Sequence, residues 1–331
     1  MERHILDANY VDIKSSIYKN RIVKKVYDWV VYGNKHKIVC YPTFKCNYDC
    51  PYCNVRTRGK MPEKFPEEHS GKEWADMFNR LEPSLIGLSG GELFLEVPGS
   101  TWSIREFLEN IDRKHIVAIT SNLSWDTDKV LPWLTKARSE KRIHITFSFH
   151  PSMTNIEPFL EKMKILRKNG IVSTASIVAV PAVFSQLESF KQKFDAAGIR
   201  FAVHTFLDPA FKYTQEQKDF LIKFNGTIRD KEDDELSFDF DNEPVPKNCV
   251  AGKDYYLFVP NGDAYACQSG FFCVNSPVHE KWRANKSEFH LGNVFDNTFK
   301  PRNFTTTNCK YPCSEYCDRA YAKPVAVSEK K

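Results

Sequence analysis

The 331-residue sequence predicts an α/β fold, a partial (β/α)6 TIM-like barrel followed by a small C-terminal cysteine-rich α+β domain. Three observations predict it. Six β-branched and apolar runs alternate with helical patterns between residues 37 and 206, as they do around a parallel sheet. An acidic, proline-bearing stretch, DKEDDELSFDFDNEPVP, then interrupts the pattern. Beyond it, six of the ten cysteines fall within residues 249–317.

Residues 1–36 form an N-terminal extension ahead of the first strand. They begin MERHILDANY, charged from the second residue and without an apolar h-region, so a cytoplasmic location is expected. The six strands are expected at 37–43, 84–89, 115–121, 143–149, 171–180 and 200–206, giving a barrel over 37–210. Between the fourth and fifth, Leu160, Met163, Ile165 and Leu166 supply an apolar helix face and Asn169-Gly170 its stop. The longest apolar stretch, 171–184, carries Ser173, Thr174, Ser176 and Pro181 and falls short of the roughly 18 residues of a membrane span. It reads as a buried strand and its exit, and no membrane association is expected. Residues 211–248 hold a helix at 215–224 and the acidic linker, and 249–331 form the last domain.

Composition excludes disordered and fibrous classes, with 42% hydrophobic residues, 14% aromatics and only 14 glycines. The 47 basic and 42 acidic residues are dispersed, for a net charge of +5, and no block of charge points to nucleic acid. Lys162, Lys164, Arg167 and Lys168 fall in a helical pattern and read as a solvated face. In a reducing cytosol ten cysteines point to metal or cluster ligation rather than disulfides. Four lie at 40–53 and six at 249–317, which implies two sites; Cys40, inside the first strand, reads as a small buried hydrophobe.

Directly after the first strand, Cys46, Cys50 and Cys53 place three thiols at x3 and x2 spacing. A structural zinc site closes four ligands, whereas three clustered cysteines suit a four-iron cluster with one iron left open. This C-x3-C-x2-C run, with aromatic Tyr52 before the third cysteine, resembles the signature of the radical S-adenosylmethionine superfamily. The resemblance implies a [4Fe-4S] cluster on Cys46, Cys50 and Cys53 whose open iron is chelated by S-adenosylmethionine. Reductive cleavage of that cofactor then gives a 5′-deoxyadenosyl radical that abstracts hydrogen from substrate. It also implies an electron donor such as flavodoxin or ferredoxin.

Further matches fall at predicted strand ends, where barrel enzymes carry their chemistry. Gly90-Gly91-Glu92 after the second strand looks like the family's GGE motif, in which oxygens accept from the methionyl ammonium. Ser121-Asn122 after the third and Ser148-Phe149-His150 after the fourth resemble positions that contact ribose or carboxylate, so Ser121, Asn122, Ser148, His150 and Tyr52 join the expected cofactor contacts. Strand-end capping and a structurally bonded histidine are the plain alternatives. The fifth strand lacks the glycines of the family's adenine-packing segment. His204 and Asp208, at the end of the sixth, are candidates for catalytic work on substrate, as base or anchor.

In the last domain Asn261-Gly262 signals a hairpin between 253–260 and 263–267, bringing thiols together. Cys249-x12-Gly262-x4-Cys267 matches an element of the SPASM and twitch extensions of that family, the shorter twitch form better than the seven-cysteine pattern. The resemblance implies a second [4Fe-4S] cluster on Cys249, Cys267, Cys313 and Cys317, with Cys273 and Cys309 in reserve; a closed zinc site is the competing reading. An auxiliary cluster favours oxidation or cyclisation of a peptide or small metabolite. The alternatives are a non-oxidative rearrangement with substrate bound to that cluster, and a non-catalytic redox-sensing module.

Overall fold

Side chains alternate across a strand, and the first strand here uses both of its faces. In the computed structural model, which describes residues 36–53, 55, 61–171, 173–206, 211–225, 247–276, 283–311 and 322–324, β1 (His36–Thr43) is buried from Ile38 onward. Ile38 and Cys40 join one apolar cluster, Val39 and Tyr41 another. Cys40 is fully buried.

Helices α1 (Met61–Lys64) and α2 (Gly71–Asn79) lead to β2 (Ser84–Gly90), and α3 (Ile104–Asn110) to β3 (Ile116–Ser121). Then α4 (Thr127–Glu140), β4 (Arg142–Ser148), α5 (Ile156–Lys168) and β5 (Ser173–Val178) continue the alternation. A 3-10 turn (Pro181–Gln186), α6 (Leu187–Ala196), β6 (Phe201–His204) and α7 (Gln215–Asn225) complete it. Strands β1 to β6 lie side by side in chain order, all parallel, which is the partial (β/α)6 barrel. All six expected strands are present within a few residues of their expected limits.

Local chemistry sets the helix ends. Ser70 caps α2 in a capping box, its Oγ accepting from Glu73 N at 3.2 Å while Glu73 Oε2 accepts from Ser70 N at 2.7 Å. α5 stops where Gly170 takes φ +75°, its N–H donating to Arg167 O. Leu160, Met163 and Leu166 face the core with Ile156 and Phe159, but Ile165 is 41% exposed, one residue off the stripe.

The C-terminal part adds β7 (Lys247–Cys249), β8 (Tyr255–Phe258), β9 (Asp263–Tyr265), α8 (Gln268–Asn275), α9 (Lys286–Phe289), β10 (His290–Asn293), β11 (Thr306–Cys309) and β12 (Ala322–Pro324). β8 pairs parallel with β1, Lys37 opposite Tyr255 and Cys40 opposite Phe258, so the main sheet runs β10-β9-β8-β1-β2-β3-β4-β5-β6. β7, β11 and β12 form a separate antiparallel sheet. The hairpin turns at Gly262, with φ +84°. Its return strand ends at Tyr265, and Cys267 starts a helix instead of extending a strand.

On β8, Tyr256 and Phe258 join the first apolar cluster and Tyr255 and Leu257 the second. That second cluster packs Tyr41, Phe44 and Phe65 against Phe271 of α8, with ring centroids 5.4 to 6.4 Å apart. Gln268 reinforces it, donating to Tyr41 Oη and accepting from Tyr255 Oη. Among the described residues no helix is long and apolar enough to cross a membrane.

Candidate active site

The loop leaving β1 carries Cys46, Cys50 and Cys53, and it is fastened to the loop leaving β2 by main-chain bonds. Gly91 N donates to Thr43 O at 2.8 Å and Glu92 N to Lys45 O at 2.9 Å, carrying the β1–β2 pairing past the strands themselves. The glycines permit this approach. Gly90 has φ +114°, and a Cβ on Gly91 would stand 1.9 Å from Lys45 O.

Glu92 turns inward and is 2% exposed. Its Oε1 accepts from Phe94 N at 3.0 Å and Ser121 Oγ at 2.8 Å, and its Oε2 accepts from Asn122 N at 2.6 Å. Burial pushes the carboxyl up to about 7, with the donors from Asn122, Phe94 and Ser121 opposing. Ser121 Oγ also accepts from Leu123 N and from Trp125 Nε1. The side chains of Glu92 and Ser121 thus tie the β2 and β3 loops together.

Asn122 reaches the cysteine loop itself. Its Nδ2 donates to Asn47 Oδ1 at 3.1 Å and lies 3.8 Å from Cys46 Sγ, and Ser124 Oγ donates to the same Asn47 oxygen at 3.2 Å. Lys162 secures this turn from α5: its ammonium donates to Leu123 O at 3.1 Å and to Trp125 O at 2.6 Å. The turn holds Leu123 at φ +58°, a conformation unusual for leucine. Partial burial lowers the Lys162 pKa. Lys162 is therefore a clamp on the β3 loop and not part of a solvated face.

From β4, His150 completes the ring around the cysteines. Its Nδ1 is 3.0 Å from Tyr52 Oη and 3.5 Å from Cys50 Sγ, its ring stacks on Tyr52 at 5.9 Å and Tyr48 meets it edge-on at 6.0 Å. Burial lowers the imidazole to about 4. Ser148 Oγ pairs with Ser176 Oγ of β5 at 3.3 Å. His204 ends β6 opposite Val178, and its carbonyl accepts from Ala179 N. Asp208 lies outside the described residues.

The donor set fits a thiolate-bound cluster. Burial first, then the charges of Cys53 and Cys46, push the Cys50 thiol up to about 12, which places the three sulfurs in one electrostatic neighbourhood. A bound cation would favour its thiolate form. Among the described residues no group of three His, Cys, Asp or Glu side chains is drawn together to hold a metal ion.

In the C-terminal part, Cys267 is the N-cap of α8, its Sγ accepting from Gly270 N at 3.2 Å, and Cys249 Sγ accepts from Ala251 N at 3.4 Å. Both are buried, as is Cys273. Cys309 sits on β11, whose Thr306 is opposite Cys249 of β7. Cys273 and Cys309 are close enough to Tyr311 for their charges to help raise its hydroxyl to about 12, after burial and Glu288. Cys313 and Cys317 lie outside the described residues.

No family model and no curated protein matches the sequence. Solved structures do match. SuiB from Streptococcus suis bound to S-adenosylmethionine superposes with a TM-score of 0.51 at 14% identity, over 85% of this chain and 72% of that one. SuiB bound to its precursor peptide SuiA gives 0.50 at 14% identity, over 85% and 73%. Native anSMEcpe with bound AdoMet gives 0.50 at 11% identity, over 80% of each chain. The chain shares the fold of these structures. In this chain Glu92, Asn122, Lys162 and His150 bind together the loops that follow β1 to β4.

Sequence reasoning missed Asn47, Ser124, Ser176 and Lys162. Asn47 and Ser124 are short polar residues at strand ends, beside those that were singled out, so position was an available signal. Lys162 gave none, because its partners are main-chain carbonyls some forty residues away.

Proposed function

We propose that this chain is a radical S-adenosylmethionine enzyme, with Cys46, Cys50 and Cys53 holding a [4Fe-4S] cluster. The observation that carries this reading is the main-chain fastening of the Gly90-Gly91-Glu92 loop onto the cysteine loop, with Asn122 reaching both Asn47 and Cys46. When bound and reduced, a cluster held by these three cysteines would supply the electron for reductive cleavage of S-adenosylmethionine and so the means to abstract hydrogen from a C–H bond.

The chain's own residues prepare the site. Gly90 and Gly91, packed against the cysteine loop, would offer main-chain oxygens to the methionyl ammonium. Glu92, with Ser121, fixes that loop against the β3 turn. Asn122 and Ser148 offer amide and hydroxyl groups to carboxylate and ribose, and Tyr52 an aromatic face. His204 and Asp208 are proposed to face substrate. Residues 37–210 form the core and 249–331 a twitch-like extension, with Cys249 and Cys267 as ligands of a second [4Fe-4S] cluster, completed by Cys313 and Cys317 or by Cys273 and Cys309. The burial of Cys249 and Cys267 and their main-chain N–H donors support that assignment.

A second cluster would accept the electron left on substrate, which favours a net oxidation or cyclisation. The substrate is a peptide or a small metabolite; the likeness to a protein solved with its precursor peptide supports the peptide. Anaerobic reconstitution with iron counting, followed by reduction with S-adenosylmethionine, tests the proposal. 5′-Deoxyadenosine is expected from the parent and not from Cys46→Ala, Cys50→Ala or Cys53→Ala; absence from the parent refutes it. About eight irons per chain support two clusters, and about four plus one zinc support a structural zinc site.

A further inference from the structure

We propose that the Tyr52 hydroxyl and the His150 imidazole act together on the Cys50 thiolate and raise the reduction potential of the cluster it binds. This inference rests on the reading of Cys46, Cys50 and Cys53 as cluster ligands, and it assigns Tyr52 and His150 a task distinct from contact with S-adenosylmethionine.

The geometry is that of a donor pair converging on one sulfur. His150 Nδ1 stands 3.5 Å from Cys50 Sγ and 3.0 Å from Tyr52 Oη. The Tyr52 hydroxyl is also close to the Cys50 side chain, with Ser152 as a further neighbour able to donate to the Tyr52 oxygen. A thiolate ligand has no proton to give, so both neighbours must donate. One arrangement satisfies all three groups: the Tyr52 O–H donates to sulfur, while the His150 Nδ1–H is shared between the Tyr52 oxygen and the sulfur.

The imidazole has little freedom to leave this position. Tyr52 stacks on one face of it and Tyr48 closes its edge. Its main chain is fixed as well, since His150 O accepts from Met153 N at 2.9 Å and Thr154 N at 3.1 Å. Cys50 is only 5% exposed, so water competes poorly for its sulfur. Cys46 and Cys50 are placed differently: Cys46 Sγ receives a main-chain N–H from Tyr48 at 3.4 Å and lies 3.8 Å from the Asn122 amide, whereas Cys50 Sγ faces the His150 imidazole.

Reducing the cluster adds one electron and hence one negative charge, which spreads onto the thiolates. Donors aimed at a thiolate stabilise the reduced form over the oxidised one, so the potential rises. Tyr52 and His150 are in this sense positioning residues for the charge.

The test is a dye-mediated redox titration of the full chain after anaerobic reconstitution, with dithionite supplying the electron. Paramagnetic resonance follows the cluster signal that changes on addition of S-adenosylmethionine. Tyr52→Phe removes a single oxygen, His150→Phe removes the imidazole donor, and His150→Gln restores an N–H. At the parent's midpoint, Tyr52→Phe and His150→Phe should each hold several-fold less reduced cluster, a tenfold change being about 59 mV for one electron. His150→Gln should lie closer to the parent. Parental midpoints in both phenylalanine variants overturn the proposal while leaving the cluster assignment intact. A parent without any such signal overturns the cluster assignment itself. Should His150→Phe fail to hold its cluster, Tyr52→Phe decides alone.

Discussion

Burial and hydrogen bonding pull the Glu92 carboxyl in opposite directions, and burial prevails, raising it from 4.5 to about 7. A carboxyl raised on folding binds more protons in the native state than in the unfolded one across that window. Stability is then full below about 4.5, falls as pH rises, and levels off above about 7, by at most roughly 3 kcal/mol. The metal-free chain should therefore lose urea resistance between pH 5 and pH 7. Glu92→Gln should be weaker overall, because an amide N–H2 now faces a donor, but should lack this slope. Equal slopes in both proteins would sink the account. The residue type and its strand-end position were legible from Gly90-Gly91-Glu92. That its oxygens fasten Ser121 and Asn122 was not, because hydrogen-bond partners thirty residues apart leave no local pattern.

Elements were legible wherever period and punctuation agreed. The six barrel strands, the Asn169-Gly170 stop and the Asn261-Gly262 turn all follow from short-range chemistry. Ile165 and Cys267 depart from expectation for a shared reason: each lies at the margin of a pattern, one residue off a helical stripe and two past the end of a strand. The fastening of the β1 and β2 loops is where an element-level prediction is sharpest. In Gly91→Ala the new methyl meets the Lys45 carbonyl, so the two loops must part. A cost of about 1–3 kcal/mol is expected, together with a fall in iron bound per chain on reconstitution. Thermal melts followed by circular dichroism, beside an iron assay, measure both. Unchanged iron content with an unchanged melt would show that the loops are not coupled.

On the scale of the whole molecule, the barrel and the cysteine-rich part share a sheet. β8 covers the edge of β1, and the second apolar cluster needs side chains from both parts, Tyr41 and Phe44 on one side and Leu257 and Phe271 on the other. Two cysteine groups were legible; a β1–β8 pairing was not, because runs of apolar residues announce strands without naming their partners. A chain ended at residue 246 would expose β1 as an apolar edge, a template for association. Such a chain should be recovered largely in the insoluble fraction, and size-exclusion chromatography of any remainder should show aggregates. A soluble monomer with a cooperative melt would mean that the barrel is self-sufficient.

The position of β1 also bears on when the protein is finished. β1 is the first strand of the described chain to leave the ribosome, yet the strand that covers it is made more than two hundred residues later. At about 5–20 residues per second that interval is on the order of ten seconds or more. Throughout it, the cysteine loop hangs from a strand with one bare edge, and neither the Phe271 ring that packs on Phe44 nor the Gln268 amide that bonds Tyr41 yet exists. An early-made part of each new molecule is thus among the last to be enclosed.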